Sequence, residues 1–210
     1  MSALQQFFPI DVVMSQIITK ETQPRTLTWQ TGSKVNVKPI TAEGKEVPLD
    51  VKGVRYAVKR AKNSYLGNEL KYSENSFTPA IFALINGGTL IEEPSGTFKS
   101  YEPPAIGEEE AKVKFDLITY SANYNEAGDL VNYMKTTYYH CEGTVTGYDQ
   151  EDDKFFAPEF TIMSTPPKGT KPYKMEVIEA LPAITFDNAR GAFEPTLSIE
   201  KEEVKTIKSK

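Results

Sequence analysis

The chain is poor in the residues that carry most protein chemistry. Its 210 residues include one cysteine, one histidine and one tryptophan. A single cysteine excludes an intramolecular disulfide and points to folding in the cytoplasm. Cys141 follows directly on His140. Adjacent side chains on a strand face opposite ways, so the two do not converge as a nucleophilic dyad. A structural zinc site takes four Cys or His ligands, and only these two are present. No stretch approaches about 18 consecutive apolar residues, so no membrane-spanning helix is expected. The opening "MSALQQFFPIDVVMSQ" has no basic region leading into an apolar run, and does not read as a signal peptide.

Nucleotide signatures are missing too. There is no G-x-x-x-x-G-K-[ST] loop, and no G-x-G-x-x-G follows a strand pattern. The acidic run "DQEDD" (Asp149–Asp153) fails the EF-hand pattern. Its sixth position is Lys154 instead of glycine, and its twelfth is Phe160 instead of glutamate. "GEEEAK" (Gly107–Lys112) reads as a loop, and nothing singles out a carboxylate pair for acid–base work. These readings leave no catalytic, cofactor-binding or metal-ligating residues to name.

Positive charge is scarce where a nucleic-acid binder would need it. The net charge is -5. Residues 1–100 carry 12 Lys+Arg against 9 Asp+Glu, and the remainder 12 against 20. Such a balance argues against tight, general DNA binding.

What the chain does have is period-two alternation. Val35 and Val37 alternate with lysines and asparagine in "KVNVK". Val54, Tyr56 and Val58 do so in "VRYAVK", and Val113, Phe115 and Leu117 in "KVKFDL". "RTLTWQ", "YKMEV" and "TLSIE" repeat it with Leu27 and Trp29, then Tyr173, Met175 and Val177, then Leu197 and Ile199. Half-buried antiparallel strands have this signature. Runs at Ile10–Ile18, Val131–His140 and Phe155–Met163 are rich in β-branched and aromatic residues and read as strands. Turn signals such as "AEGKEVP", "EPPAIGEEE" and "TPPKGTKP" separate them. The expected fold is a single, mainly β domain over 1–210, an antiparallel sandwich or barrel of roughly nine to eleven strands.

One segment reads as a helix, at about 78–86. In "TPAIFALINGG", Thr78 suits the N-cap, Pro79 the first helical position, and Gly87-Gly88 the stop. Ile81, Phe82, Leu84 and Ile85 make it apolar on every side, so it should be covered on more than one. Three segments do not suit a sandwich core. They are an arm at 1–9 carrying Phe7 and Phe8, a polar loop at 41–50 with Glu43, Lys45 and Glu46, and a tail at 201–210 anchored only by Val204 and Ile207. An exposed Phe pair is costly in a monomer, which favours a docked arm. Tyr120, Tyr124, Tyr133, Tyr138 and Tyr139 cluster in one region, either as a stacking platform or as cross-strand and interface residues.

The order of parts resembles the major tail protein, or tail tube protein, of long-tailed bacteriophages of Gram-positive hosts. "FTPAIFALINGGTL", "YEPPAIGEE", "AKVKFDLITYSANY" and "FFAPEFTIMSTPPKGTKPYKMEVIEALP" carry the resemblance, which covers roughly Val54–Pro182. It implies a β-sandwich with one flanking helix and no catalysis. It also implies six-membered rings stacked into a tube, a conduit through which DNA passes without specific binding. The partners would be other copies of the chain, with tape-measure and tail-end proteins. Such a protein is made and assembled in the host cytoplasm and ends in the virion tail. In this family the arm, the early loop and the C-terminal segment make ring-to-ring contacts, which would place Phe7, Phe8, Glu43, Lys45, Glu46, Val204 and Ile207 at interfaces. The alternative is an aromatic-rich carbohydrate-binding module using the tyrosines and Trp29; an unrecognised carboxylate-pair hydrolase is a third reading.

The acidic balance yields a first test. The purified chain is expected to show no gel shift of duplex DNA at physiological salt. A micromolar dissociation constant at that salt would contradict this reading of the charge.

Overall fold

The computed structural model describes residues 6–93, 95–107, 112–144, 147–148 and 150–184. Among the described residues the fold is mainly β and antiparallel, with one short helix, and its sheets do not close into a barrel. Among the described residues there are twelve strands. They are β1 (Pro9–Thr19), β2 (Thr26–Trp29), β3 (Gly32–Ala42), β4 (Val47–Val51), β5 (Val54–Lys59), β6 (Ser64–Glu74), β7 (Thr89–Glu92), β8 (Phe98–Glu102), β9 (Phe115–Tyr124), β10 (Leu130–Thr144), β11 (Glu159–Ser164) and β12 (Tyr173–Ile178). The helix α1 (Pro79–Asn86) lies between β6 and β7.

The main sheet runs β2-β1-β9-β10-β11-β6-β3, with β12 added to β10. It folds over at β10. Up to Tyr138 this long strand pairs with β12, and from Cys141 it pairs with β11 instead. Tyr139 and His140 are skipped in its register with β9, and His140 takes φ 51. The left-handed residue turns the strand, as bulges do. Asp116 accepts the His140 backbone N–H at 3.0 Å and pairs with Lys20 at 2.6 Å. The two halves of the sheet then face each other across one core. Ile17, Leu27, Leu70, Tyr72, Phe115, Leu117, Phe160 and Ile162 fill it, together with Cys141.

The helix completes that core. Ile81, Phe82, Leu84 and Ile85 are all buried, against β10, β11, β7 and β8. Thr78 is extended, as an N-cap residue should be, yet its side chain makes no capping bond. Phe82 N–H instead reaches the Thr78 carbonyl at 3.0 Å. Gly87, at φ 80, ends the helix. The helix sits so close to β10 that a Cβ on Gly143 would lie 1.9 Å from the Ile85 carbonyl oxygen.

Three expectations are corrected. The segment 41–50 is not simply a loop. β3 runs to Ala42 and β4 occupies Val47–Val51, so only Glu43–Glu46 is irregular. The alternation in "VRYAVK" marks a strand, but not a half-buried one. β4 and β5 pair only with each other, and every residue of both is exposed. In "YKMEV" the apolar positions Tyr173, Met175 and Val177 are exposed, because this part of β12 lies outside the core. Leu197 and Ile199 lie outside the described residues.

The Gly143 contact can be measured. Gly143→Ala must push helix from strand or distort either backbone, at about 1–3 kcal/mol. That corresponds to a melting temperature roughly 2–12 °C lower. An unchanged melting temperature would show that the helix does not pack this closely.

Candidate functional site

β3 and β6 form a long antiparallel ribbon and carry a hairpin at one end. At that end Ala42 pairs with Ser64, and the chain between them is the β4–β5 hairpin with its connections. Lys52 and Gly53, both at positive φ, make the two-residue turn between Val51 and Val54. Val47, Leu49 and Val51 alternate along β4, and the register sets Ala57 and Val54 opposite Leu49 and Val51. Tyr56 is the unpaired residue of a bulge between Ala57 and Arg55. An apolar face thus stands in solvent, with Val47 58% exposed, Leu49 56% and Val54 58%, and the bulged Tyr56 is 70% exposed. Soluble monomers rarely present such a surface. The hairpin is also basic. Between Val47 and Lys62 there are five Lys or Arg and one acid, Asp50. Arg55 reaches Asp50 at 3.1 Å and Glu46 at 3.9 Å.

At the opposite end of the ribbon a clamp fixes β3 to β6. Gly32 pairs with Glu74, and the Asn75 N–H donates to the Thr31 carbonyl at 2.9 Å. Trp29 Nε1 donates to the Tyr72 hydroxyl at 2.7 Å, which donates to Ser15 Oγ at 3.0 Å. A Cβ on Gly32 would strike that hydroxyl at 2.0 Å. Glu74 is buried and accepts from Thr31 Oγ1. Burial raises its pKa, against the lowering effect of the hydrogen bond from Thr31.

Just beyond the clamp lies an aromatic cavity of ≈ 510 Å³. Phe77, Phe82, Tyr101, Pro103, Tyr148 and Phe156 line it, with Asn86 and Gln150. Its rings meet edge to face at 5.1–5.3 Å, Phe82 with Tyr101 and Phe77, and Phe156 with Phe77 and Tyr148. Tyr101 is anchored by donating its hydroxyl to the Gly87 carbonyl at 2.9 Å. Phe155, the chain neighbour of Phe156, is almost wholly exposed. Exposed Glu151, Asp152 and Asp153 lie between Gln150 and Phe156, against one lysine, Lys154.

The sequence-selected residues are scattered over this frame. Phe7 is half-buried and Phe8 is 55% exposed. The Phe8 N–H donates to Asn123 Oδ1 at 2.6 Å, so the end of the arm is tied to β9. Glu43, Lys45 and Glu46 are exposed at the root of the hairpin. Val204 and Ile207, the rest of the tail and Met1–Gln5 lie outside the described residues, as do Asp149 and the segment 108–111. Trp29, Tyr120 and Tyr138 are buried, which removes them from any sugar-stacking platform. Burial pushes the Cys141 thiol up to about 12, so it stays protonated at neutral pH. Among the described residues no three His, Cys, Asp or Glu side chains converge. The early loop expected at an interface, 41–50, covers the root of the hairpin and most of β4, whereas the rest of the hairpin and the cavity have no counterpart among the sequence-selected residues. The first has alternation that looks like an ordinary strand, and the second joins three segments distant in sequence.

The class of protein this defines is a mainly β sandwich with one core helix and apolar surfaces left open at its ends. No family model matches the chain, and no curated protein matches it. Among solved structures it is similar to a chain of the anti-feeding prophage (AFP) baseplate, described as a 6-fold symmetrised cryo-EM structure. Identity is 9%, coverage is 85% of this chain and 98% of that one, and the TM-score is 0.36.

The clamp gives a pH test. A glutamate whose folded pKa is raised favours its neutral form in the fold. That contribution is complete below the ordinary range near 4.5 and is lost as pH rises through the folded value. The stability of Glu74→Gln relative to the parent is therefore expected to grow from about pH 4.5 upward and then level off. An advantage that grew toward acid would reverse the assignment.

Proposed function

We propose that this chain is a structural protein that works by self-assembly, and that its assembled form is the tail tube of a long-tailed phage. The observation that carries the reading is the β4–β5 hairpin, an apolar two-stranded ribbon held in solvent by the sandwich. Two-stranded hairpins are at best marginally stable alone in water. One that projects valines, a leucine and a tyrosine is best explained by a neighbouring copy that covers it. Open sheet edges support the same reading. Among the described residues β3 and β12 each have a hydrogen-bonded neighbour on one side only, and such edges are templates for pairing with another chain.

In this proposal the copies form six-membered rings, and the rings stack into a conduit for DNA. The resemblance of the sequence to tail tube proteins supplies ring number, stacking and location in the virion tail. Tape-measure and tail-end proteins are the partners it implies. The chain itself performs no catalysis in this account and takes no cofactor.

Negative-stain microscopy tests the assembly directly, with rings or tubes expected and a monodisperse monomer at every concentration contradicting it. A variant separates assembly from folding. Replacing Val47–Lys59 by a short Gly/Ser linker removes a ribbon that pairs only with itself. Its melting temperature is expected to stay within about 3 °C of the parent, while rings and tubes disappear. Normal tubes from that variant would remove the hairpin from the interface.

A further inference from the structure

The hairpin and the aromatic cavity lie at opposite ends of one strand. The hairpin leaves β6 at Ser64, where Ala42 pairs with it. Phe77, which lines the cavity, follows three residues after β6 ends at Glu74. Eleven residues of strand put about 33 Å between those ends. A hairpin and a cavity so placed meet far more readily between copies than within one.

We infer that the β4–β5 hairpin of one copy docks on the aromatic cavity of the next, with Tyr56 as its anchor. This rests on the self-assembly reading above and names the receptor for the hairpin. Three observations converge on it. The exposed side chains of the hairpin and the lining of the cavity are both apolar, and each carries aromatic groups. Tyr56 is the most exposed of the hairpin's large hydrophobic side chains and projects from a bulge. Buried tyrosines are characteristic anchors of protein interfaces. The charges are opposite as well. Lys52, Lys59, Arg60 and Lys62 are exposed around the apolar face of the hairpin, whereas Glu151, Asp152 and Asp153 are exposed beside the cavity. Complementary charge of this kind steers two surfaces together and rejects the wrong ones. The uneven charge of the chain, basic before residue 100 and acidic after it, is the sequence trace of the same arrangement. Because the two surfaces differ, the contact is heterologous. It propagates through successive copies rather than closing on itself as a two-fold pair does.

Charge reversal in separate full-length chains tests this. One variant carries Lys59→Glu, Arg60→Glu and Lys62→Glu, and so has an acidic hairpin beside an acidic cavity rim. The other carries Glu151→Lys and Asp152→Lys, and has two basic surfaces. All five positions are exposed, so both variants should fold. Sedimentation velocity is expected to show each variant alone as a monomer, and their equimolar mixture as assemblies, since each then meets its opposite. Assembly by either variant alone, or a mixture that stays monomeric, overturns the inference. A second pair keeps the question open to geometry. A Tyr56→Cys chain mixed with a Tyr148→Cys chain should give a disulfide-linked heterodimer on oxidation, with Cys141 buried and out of reach. Absence of that cross-link in assembled material overturns the inference alone. A parent chain that never assembles overturns both this contact and the self-assembly reading.

Discussion

The turn of β10 between Tyr138 and Cys141 is the constraint on which the rest of the molecule depends. A 15-residue strand cannot serve both halves of a folded sheet while remaining straight. The left-handed conformation of His140 bends it, and the neighbour on one side changes there from β12 to β11. Backbone groups freed by the bend are satisfied locally. Tyr139 N–H donates to the Pro172 carbonyl at 3.0 Å, and Ser164 Oγ donates to the Tyr139 carbonyl at 2.8 Å. With Asp116 holding His140 N–H, the corner is fully bonded despite its irregularity.

Much follows from that bend. It lays β11, β6 and β3 across the core from β1 and β9. The second half of β10 then offers Gly143 as the surface on which α1 rests, and α1 brings Phe82 to the wall of the aromatic cavity. The β3–β6 ribbon is held at one end by the Glu74 clamp and left to project at the other. The fold therefore sets an aromatic cavity and a protruding ribbon at its two ends, and in our proposal these two meet in different copies.

Local chemistry made part of this legible in the sequence. The helix was readable because Pro79, Gly87 and the run "AIFALI" agree with one another. Phe115 and Leu117 were readable as core positions because their alternation is real burial. Alternation failed at Tyr173–Val177, where the same pattern marks apolar side chains turned to solvent, and at Val54–Val58, where the bulge at Tyr56 breaks the period and all three side chains are exposed. Periodicity reports which side chains share a face, and says nothing of what covers it. Nor could sequence show the β10 corner. His140 is not a glycine, and its positive φ falls where β10 leaves β12 and takes up β11, a change that only the tertiary pairing shows. The cavity has no local signature at all, since Phe77, Tyr101, Tyr148 and Phe156 meet only through tertiary structure.

In our proposal the exposed hairpin is covered when copies meet. Hydrogen–deuterium exchange of the intact chain, followed as concentration is raised, reads this most directly. The account predicts that amides of Val47–Lys59 become strongly protected in assembled protein, while those of β9 and β10 exchange slowly in both states. Assemblies in which Val47–Lys59 exchanges as fast as in the dilute chain would contradict it.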